Sequence, residues 1–500
     1  MRKLLLSLVV AIVVVALGAT VFVLWLFSGD GLRRAIEQQA TSWLGQPVTV
    51  GRATAGLFPR PAIRLGDVRV GDPVRVTLAD VYVSTDLRAL LTRRIQDAAI
   101  TIGNSRIEMP LPFAIPAGSD TGTPGESQRA ATKGAVEIVS IRRIALDNIA
   151  IISRGKEVRV SADSSLSGDH LTLRRFEARS GATVLDAEGE IDLAPSVKAR
   201  ITAKANTLDV DELLALADAF TPPRTAGRTA VRQSAPMTIA AHISAATATA
   251  GGVELRQFAT DLEVDDDRVV LSPLTFQLFG GQYTGALNAR LGNRMSLTIT
   301  SRLQDLNVAE LAAFGGAPDS ISGTLTGTGT FSGTGADVAA VLQSARGNGT
   351  ATIRNGEIRR LNLVRTVVLF FGRPAPDTAV GSDEFERIDA SFSLASRVFH
   401  ADSFSMRSRD VDIAGMGTLN VESKALDGGL SLSLSEELSA QAGTDLARYT
   451  SEDDRVVLPA RIGGTILAPR VTIDAAAAVK RGLRNELQRR LKGLFEGFGR

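Results

Sequence analysis

Residues 63–70 read Ile-Arg-Leu-Gly-Asp-Val-Arg-Val, and this stretch decides the fold. Its apolar residues follow the spacing apolar-x-apolar-x-x-apolar-x-apolar. A regular strand alternates every two residues, so the extra residue in the middle would turn every later side chain to the other face. A β-bulge corrects this, because it bends the strand where the extra residue sits. The stretch therefore predicts a strand that bends midway and keeps one continuous apolar face.

The same spacing recurs along the chain, with further copies beginning at Val76, Ile144, Leu171 and Val269. Most of the copies carry bend-prone residues at the middle, and the pairs there include Gly66-Asp67, Ala79-Asp80, Asp147-Asn148 and Ser272-Pro273. The 47 glycines of the chain suit tight turns between such strands. The recurrence predicts a mainly β protein.

A longer pattern occurs twice, about one hundred residues apart, beginning at Gly189 and at Gly285. Each block predicts two strands and then a short amphipathic helix, capped by Asp209 in the first block and by Asn307 in the second. Internal repetition on this scale indicates an array of similar units rather than one closed core.

The chain begins with an apolar run at residues 4–27, which contains no charged residue and would be about 36 Å long as a helix. That length crosses a bilayer core, and Arg2 and Lys3 before it predict a cytoplasmic N-terminus and an exported remainder. A cleaved signal peptide is the alternative, with a weak small-residue site near Ala19, but the run is long for one. The predicted anchor includes Leu4, Trp25 and Phe27.

Two amphipathic helices are predicted to flank the β region. The first follows the anchor, from Asp30 to Leu44, and the second covers residues 475–500. The second has one apolar stripe and many Lys and Arg residues on its remaining surface. Such a helix either lies on an anionic membrane surface or packs against the last strand of a sheet.

These patterns divide the chain into five predicted segments. They are an anchor at residues 1–29, a helix plus β region at 30–115, a loop rich in Gly, Ser, Thr and Pro at 116–134, a repeated β-groove region at 135–474, and the basic helix at 475–500.

Composition excludes several classes of function. The net charge of +2 and the 5% of aromatic residues do not indicate a nucleic-acid partner. The chain has no Cys and three scattered His residues, so neither thiolate nor histidine-rich metal sites are expected. It carries no Gly-x-Ser-x-Gly elbow and no Walker loop, and Asp265–Asp267 is interpreted as a hairpin turn. We therefore predict no catalytic, cofactor-binding or metal-binding residue.

Three stretches, in this order, resemble those of the AsmA family of bacterial envelope proteins. They are residues 45–52 with 61–68, residues 347–358 with 361–363, and residues 458–474 followed by a helix. The resemblance implies an inner-membrane-anchored periplasmic protein with an elongated β-groove, linked to outer-membrane biogenesis. The family is similar to bridge-like lipid-transfer proteins, whose grooves carry phospholipid acyl chains, and it brings no catalytic residues.

The fold expected from residues and resemblance together is an elongated, curved, antiparallel β-sheet that forms an apolar groove. A sheet that buries one face without a covering layer leaves an apolar trough. The candidate residues for the lining of this groove are Ile63, Leu65, Val68, Val70, Val76, Leu78, Val81, Val83, Leu271, Leu274, Phe276 and Ile413.

Two functions follow as hypotheses. The first is a non-enzymatic envelope protein, set in the inner-membrane bilayer, that binds or conducts phospholipid between the inner and outer membranes. The second is a structural factor that supports outer-membrane protein assembly by pairing edge strands with envelope proteins. An exported enzyme would need a pocket with converging polar groups, which the sequence does not indicate.

Overall fold

The computed structural model describes residues 29–56, 60–85, 94–111, 137–138, 140–220, 237–292, 294–359, 361–372, 383–441, 451–452, 455–478 and 480. Its contacts divide the chain into two compact units, Met1–Asp266 and Asp267–Arg500. The division lies within the region predicted as one β-groove, residues 135–474. Each unit is mainly β, with few helices among its described residues.

The described part of the first unit starts with a helix and continues almost entirely as strands. Its elements are α1 (Gly29–Leu44), β1 (Val48–Gly56), β2 (Ala62–Val70), β3 (Val76–Ser84), β4 (Arg94–Ile95), β5 (Ala98–Gly103), β6 (Arg106–Glu108), β7 (Glu137–Ile138), β8 (Ser140–Ser153), β9 (Lys156–Ser167), β10 (His170–Ser180), β11 (Thr183–Asp192), β12 (Val197–Asp209), α2 (Val210–Phe220), β13 (Met237–Ala250) and β14 (Val253–Asp265).

Most strand pairs of the first unit are antiparallel, as the sequence predicts. The exceptions are parallel: β8 pairs with β5 and β6, β12 pairs with β13, and the short β4 pairs with β7. The pattern of apolar residues did not predict these, because a strand's own sequence does not set the direction of its neighbour. A parallel pair requires a crossover, and α2 lies in the one that joins β12 to β13.

Helix α1 covers the first strands of this unit. Its buried residues Leu32, Ile36 and Ala40 belong to the same apolar cluster as the buried residues of β1–β3. Two of its polar side chains also cap the edge of β1: Glu37 Oε1 accepts a hydrogen bond from Val50 N at 2.8 Å, and Thr41 Oγ1 accepts one from Val48 N at 3.1 Å. The helix therefore seals the strands and protects their edge.

The second unit is a meander of antiparallel strands with short helices in its connections. Its elements are β15 (Arg268–Leu278), β16 (Gly281–Arg290), β17 (Met295–Asn307), α3 (Val308–Phe314), β18 (Thr324–Gly335), α4 (Val338–Gln343), β19 (Arg346–Ile358), α5 (Leu363–Phe370), β20 (Asp383–Ala395), β21 (Val398–Arg407), β22 (Val411–Asn420), β23 (Leu426–Leu434), α6 (Glu436–Gln441), β24 (Ser451–Glu452), β25 (Arg455–Thr465) and β26 (Ala468–Ile473).

Because consecutive strands alternate in direction, the connections of the second unit lie at the two ends of its strands, and each end forms one border of the sheet. The edge with α3, α5 and α6 is called the helix edge. The other, with α4 and the turns that follow β16, β20, β22 and β25, is called the turn edge.

The predicted bends are confirmed in β2, β8 and β15. Asp67 in β2 and Asn148 in β8 both adopt a left-handed backbone with φ of 53°, which Asp and Asn tolerate better than most residues. The pairing register of β8 shifts between Leu146 and Ile149, and that of β15 shifts between Leu271 and Leu274. Each bend returns the later apolar residues to the original face.

The predicted repeat is also confirmed as two strands and a helix, β11–β12–α2 and β16–β17–α3. Asp209 Oδ1 accepts a hydrogen bond from Glu212 N at 2.9 Å, and Asn307 Oδ1 accepts one from Ala309 N at 3.0 Å. Both helices therefore have the side-chain caps that the sequence predicts.

The predicted anchor lies outside the described residues except for Gly29, and the undescribed part includes Leu4, Trp25 and Phe27. Residues 116–134 also lie outside them, as does the predicted basic helix apart from residues 475–478 and 480. Among the helices that the structure describes, none combines the length and the apolar character that a bilayer crossing requires.

Candidate functional site

The apolar face of the second unit is built from residues that align strand by strand into rows. The row nearest the helix edge, called the sealed row, is largely buried under helices α3, α5 and α6. It consists of Leu306, Leu325, Ile353, Ile388, Met406, Ile413, Leu432 and Leu458, each paired with the next in the register.

The row nearest the turn edge, called the outer row, is half-buried instead. It runs across nine consecutive strands, β15–β23, and consists of Leu271, Leu287, Ile299, Phe331, Gly347, Leu394, Phe399, Leu419 and Leu426. None of its side chains is fully buried, and none carries a charge. At about 4.8 Å per strand the row is about 38 Å long.

Between these rows lies a row of mostly small residues, called the glycine row. It consists of Leu274, Gly285, Ser301, Gly329, Gly349, Phe392, Ala401, Gly417 and Gly428. Beside it, toward the helix edge, Phe276 pairs with Tyr283 and Tyr283 with Leu303.

Aromatic rings lie over three of the glycines of this row. A Cβ atom added at Gly285 would come 2.5 Å from Tyr283 Oη, one at Gly329 would come 2.7 Å from the Phe331 ring, and one at Gly349 would come 2.7 Å from the Phe392 ring. The glycines therefore provide the room in which the rings lie close to the sheet.

The rings also contact one another. Phe276 and Tyr283 stack with centroids 4.3 Å apart, Phe331 and Phe392 lie 6.5 Å apart, and Phe392 meets Phe399 edge-to-face at 5.6 Å. These contacts join the outer and glycine rows into one continuous apolar surface.

The sheet of the second unit curves so that its two edges meet. Lys424 Nζ, on the turn edge between β22 and β23, donates a hydrogen bond to the carbonyl oxygen of Gly316 at 3.1 Å. Gly316 follows α3 on the helix edge. In a flat sheet the helix edge and the turn edge would be separated by the full length of the strands, which at 10 to 13 residues is more than about 30 Å. Because α3 packs on Leu303 and Leu325 of the apolar face, that face is on the inside of the curve at this point.

The opposite face of the same strands is polar. It has an open depression of about 650 Å³ whose lining includes Thr300, Thr328 and Thr350, together with members of the glycine row such as Gly329 and Gly349. Nearby, Arg387 and Thr352 donate hydrogen bonds to Asp389 at 2.6 and 2.7 Å, and these bonds hold the pKa of that carboxyl below its usual value. The two faces therefore differ in chemistry, and hydrocarbon suits only the curved-in apolar face.

The comparison with protein-family models finds a match to the AsmA family over residues 154–400. The chain belongs to the AsmA family. No curated protein and no solved structure matches it. Membership fits a role in envelope biogenesis in a broad sense.

In this AsmA-family chain, the lining residues predicted on β2 and β3 lie in the apolar core of the first unit. All but the half-buried Leu78 are buried; the set is Ile63, Leu65, Val68, Val70, Val76, Leu78, Val81 and Val83. They pack against protein, α1 included, so little of their surface is left for a ligand. Their role as lining stays a prediction.

The predicted residues of the second unit fall into different rows. Leu271 lies in the outer row, Leu274 in the glycine row and Phe276 beside Tyr283, and all three are half-buried. Ile413 lies in the sealed row and is buried. The structure thus brings the first three onto one open surface and places Ile413 under the helices.

Sequence reasoning missed most of the outer row, including Phe331, Leu394 and Phe399. The sequence signal was present as the alternation Gly327-x-Gly329-x-Phe331-x-Gly333, which indicates a strand of small residues with one large apolar side chain. Only the register shows that Phe331 stands between Ile299 and Gly347 in a row.

Two of the three histidines, His170 and His242, form local contacts with aspartates. His170 Nδ1 lies 2.8 Å from Asp192 Oδ1, and His242 Nδ1 lies 2.7 Å from Asp261 Oδ1. The hydrogen bond from His170 holds the pKa of Asp192 below its usual value. Asp266 and Asp267 form the turn between β14 and β15, as the sequence predicts.

Proposed function

We propose that this AsmA-family protein binds phospholipid by its acyl chains along the outer and glycine rows of the second unit, and so conducts lipid between the two membranes of the envelope. The single observation that carries the proposal is the outer row itself. It is uncharged and aligned across nine strands, and it remains partly exposed, whereas the sealed row of the same face is largely buried.

The energetics favour hydrocarbon without selecting one lipid. Each CH₂ group moved from water to an apolar surface contributes about 0.8 kcal/mol, so many weak contacts add up along a chain. The outer row, at about 38 Å, exceeds the roughly 15 Å that an acyl chain spans in one leaflet. An acyl chain could therefore occupy successive positions along the row.

The proposal includes a location. Residues 4–27 would anchor the protein in the inner membrane with its N-terminus in the cytoplasm, and the rest of the chain would lie in the periplasm. The partners would be the inner-membrane bilayer, phospholipid as cargo and further envelope proteins, with no nucleic acid.

We propose a non-enzymatic role, which is supported by the chemistry of the rows. Their side chains are aliphatic, aromatic or small, and none of them titrates near neutral pH. The alternative of a structural assembly factor requires free edge strands. At β1 the N–H groups of Val48 and Val50 are already bonded to α1, which makes that part of the edge a poor template for strand addition.

The test uses photo-crosslinking in the full-length protein. A photoreactive phenylalanine analogue is placed at Leu271, Leu287 or Phe399 of the outer row, and lipid adducts are identified by mass spectrometry after illumination in membranes. We expect phospholipid adducts at all three positions. Matched controls are Leu65, buried in the first unit, and Thr328, exposed on the polar face.

Adducts that are absent from the outer row, or as frequent at Thr328 as at Leu287, would contradict the proposal. Adducts with envelope proteins in place of lipid would favour the assembly factor instead.

A further inference from the structure

A lysine side chain bridges the two edges of the second unit in front of its apolar face. Lys424 on the turn edge donates its hydrogen bond to the carbonyl oxygen of Gly316 on the helix edge, at 3.1 Å. In the sheet, strands β18–β22 lie between the two ends of this bond. Since the apolar face is on the inside of the curve here, the bond crosses the open side of the groove. We call this bond the clasp.

The turn that carries Lys424 lies at the end of the outer row. Leu419 and Leu426, the last two members of that row, pair with each other on either side of the turn. The turn is also tied to its neighbour on the same edge, because Ile466 N donates a hydrogen bond to the carbonyl oxygen of Lys424 at 3.1 Å. The base of the lysine side chain is therefore fixed beside the outer row.

The other end of the clasp is held by backbone hydrogen bonds at the end of α3. Gly316 N donates to the carbonyl oxygen of Ala313 at 3.0 Å, and Ala317 N donates to that of Ala312 at 2.8 Å. Gly316 has a φ of 75°, the left-handed conformation that commonly ends a helix. Carbonyl groups at this end of a helix lack partners within the helix and favour a cation. The Lys424 ammonium supplies that cation.

The clasp opens more easily than either of its ends. It is one side-chain hydrogen bond, Gly316 is exposed to solvent, and water can replace the carbonyl oxygen at a strongly hydrated ammonium group. Among the described residues no carboxylate pairs with Lys424; Glu422, two residues earlier, pairs with Arg397 at 3.0 Å. The joint thus has two fixed ends and one bond that exchanges with water.

We propose that the clasp is a gate through which acyl chains enter the groove from the side. When closed, it holds the two edges together in front of strands β18–β22. When open, it lets the edges separate, so that hydrocarbon reaches the apolar face between them. The inference rests on the proposed function, from which it takes its ligand, a phospholipid. Because Lys424 belongs to neither the outer nor the glycine row, the gate controls access and leaves the acyl-binding surface unchanged.

The test locks the gate with a chemical cross-link. Because the chain has no Cys, the introduced pair G315C and K424C supplies its only thiols, and a bismaleimide with a reducible linker joins them in the full-length protein. Gly315 tolerates a side chain, since its φ is −68° and the atoms nearest an added Cβ are 3.5 Å away. A photoreactive phenylalanine analogue replaces Phe399 on β21.

The cross-linked protein is reconstituted into vesicles of acyl-deuterated phosphatidylethanolamine and phosphatidylglycerol and then illuminated. Deuterated adducts report lipid that entered after the lock was made. We expect the lock to remove most deuterated adducts at Phe399 and reduction of the linker to restore them. A425C with T465C is the control, because these residues already pair as a β-bridge on the turn edge, and the same linker there should have no effect.

Substitution of the lysine provides the second arm. Lys424→Met should raise the initial rate of deuterated adduct formation at Phe399 about fivefold, the change expected when one exposed hydrogen bond is lost. Lys424→Arg keeps a donor and should stay near the wild-type rate.

The outcomes separate the gate from the proposed function. Equal adduct yields in the locked and reduced protein, or the same loss from the control pair, would overturn the gate and leave the acyl-binding rows standing. A lack of lipid adducts at Phe399 in every state, the reduced protein and Lys424→Met included, would overturn the proposed function and the gate with it. If the double Cys variant does not fold, equal rates for Met and Arg at position 424 would overturn the gate.

Discussion

Strands β2 and β15 carry the same spacing of apolar residues but differ in what covers them. In β2, Ile63, Leu65, Val68 and Val70 are all buried, whereas in β15 Val269, Leu271, Leu274 and Phe276 are only partly buried. The difference arises from neighbours distant in sequence. Helix α1 supplies Leu32, Ile36 and Ala40 to the cluster that contains β2, while α3, α5 and α6 bury the sealed row of the second unit.

The comparison shows that one local pattern can serve a closed core or an open surface. The spacing decides which side chains share a face, and tertiary contacts decide whether that face is available to a ligand.

The largest effect is expected from one substitution made in both strands. Leu65→Ala and Leu271→Ala remove the same atoms from the second apolar position of the same pattern. Because Leu65 is buried, its loss should lower the free energy of unfolding of the first unit by about 2–5 kcal/mol. Leu271→Ala should cost less, about 1–2 kcal/mol, since part of its surface is already in water. Urea denaturation followed unit by unit measures both. Equal losses would mean that the open row is in fact a core.

The glycine row tests whether the open surface depends on close packing of rings. A Cβ atom at Gly285 would lie 2.3 Å from the carbonyl oxygen of Thr300, besides its contact with Tyr283. Gly285→Ala should therefore lower stability by about 1–3 kcal/mol. Gly429→Ala in β23 is the control, because no atom lies within 4 Å of its added Cβ, and it should be neutral or slightly stabilising. Thermal unfolding of the two variants gives the answer, and a neutral Gly285→Ala would exclude tight ring packing.

The bend of β2 tests the part of the pattern that both strands share. Asp67 has a φ of 53°, so a β-branched residue there should cost about 1–2 kcal/mol. Asp67→Val should therefore destabilise the first unit, whereas Asp67→Asn should leave it nearly unchanged, although either change removes the exposed contact with Arg52 at 3.7 Å. Denaturation midpoints compare the pair, and similar values would show that the left-handed backbone is not required.

The smallest effect concerns an ion-paired carboxyl on the surface of the first unit. Burial of Asp163 opposes its ionisation, but hydrogen bonds from Arg174 and Arg143 outweigh this and hold its pKa below the usual value. A carboxyl with a depressed folded-state pKa stabilises the protein above its unfolded pKa, near 4, and loses this contribution as the pH falls through the folded value. Asp163→Asn should cost less than about 1 kcal/mol at pH 7 and flatten the acid limb of the stability curve. An unchanged acid limb would assign that pH dependence to other carboxyls.

Much of the local structure could be predicted from the sequence because its causes are local. The bends follow from an extra residue between apolar pairs, with Asp67 and Asn148 suited to a left-handed backbone. The helix caps at Asp209 and Asn307 follow from side chains that bond the next N–H groups. The turn at Asp266 follows from a break between apolar runs.

Only part of the candidate site could be predicted, because its arrangement depends on long-range register. Leu271, Leu274 and Phe276 were identified from their own strand, but Phe331 and Phe399 join them only through a series of correctly paired hairpins. A shift of one residue in any hairpin would turn the later strands over.

The sequence by itself thus determined that the chain forms bent strands with one apolar face, because periodicity and turn chemistry act within a few residues. The tertiary structure decided that β12 and β13 run parallel, that α1 seals the face of β2, and that the outer row of the second unit stays open. These features depend on contacts between residues far apart in the chain, such as Leu32 with the core around Val68, which local propensity does not encode.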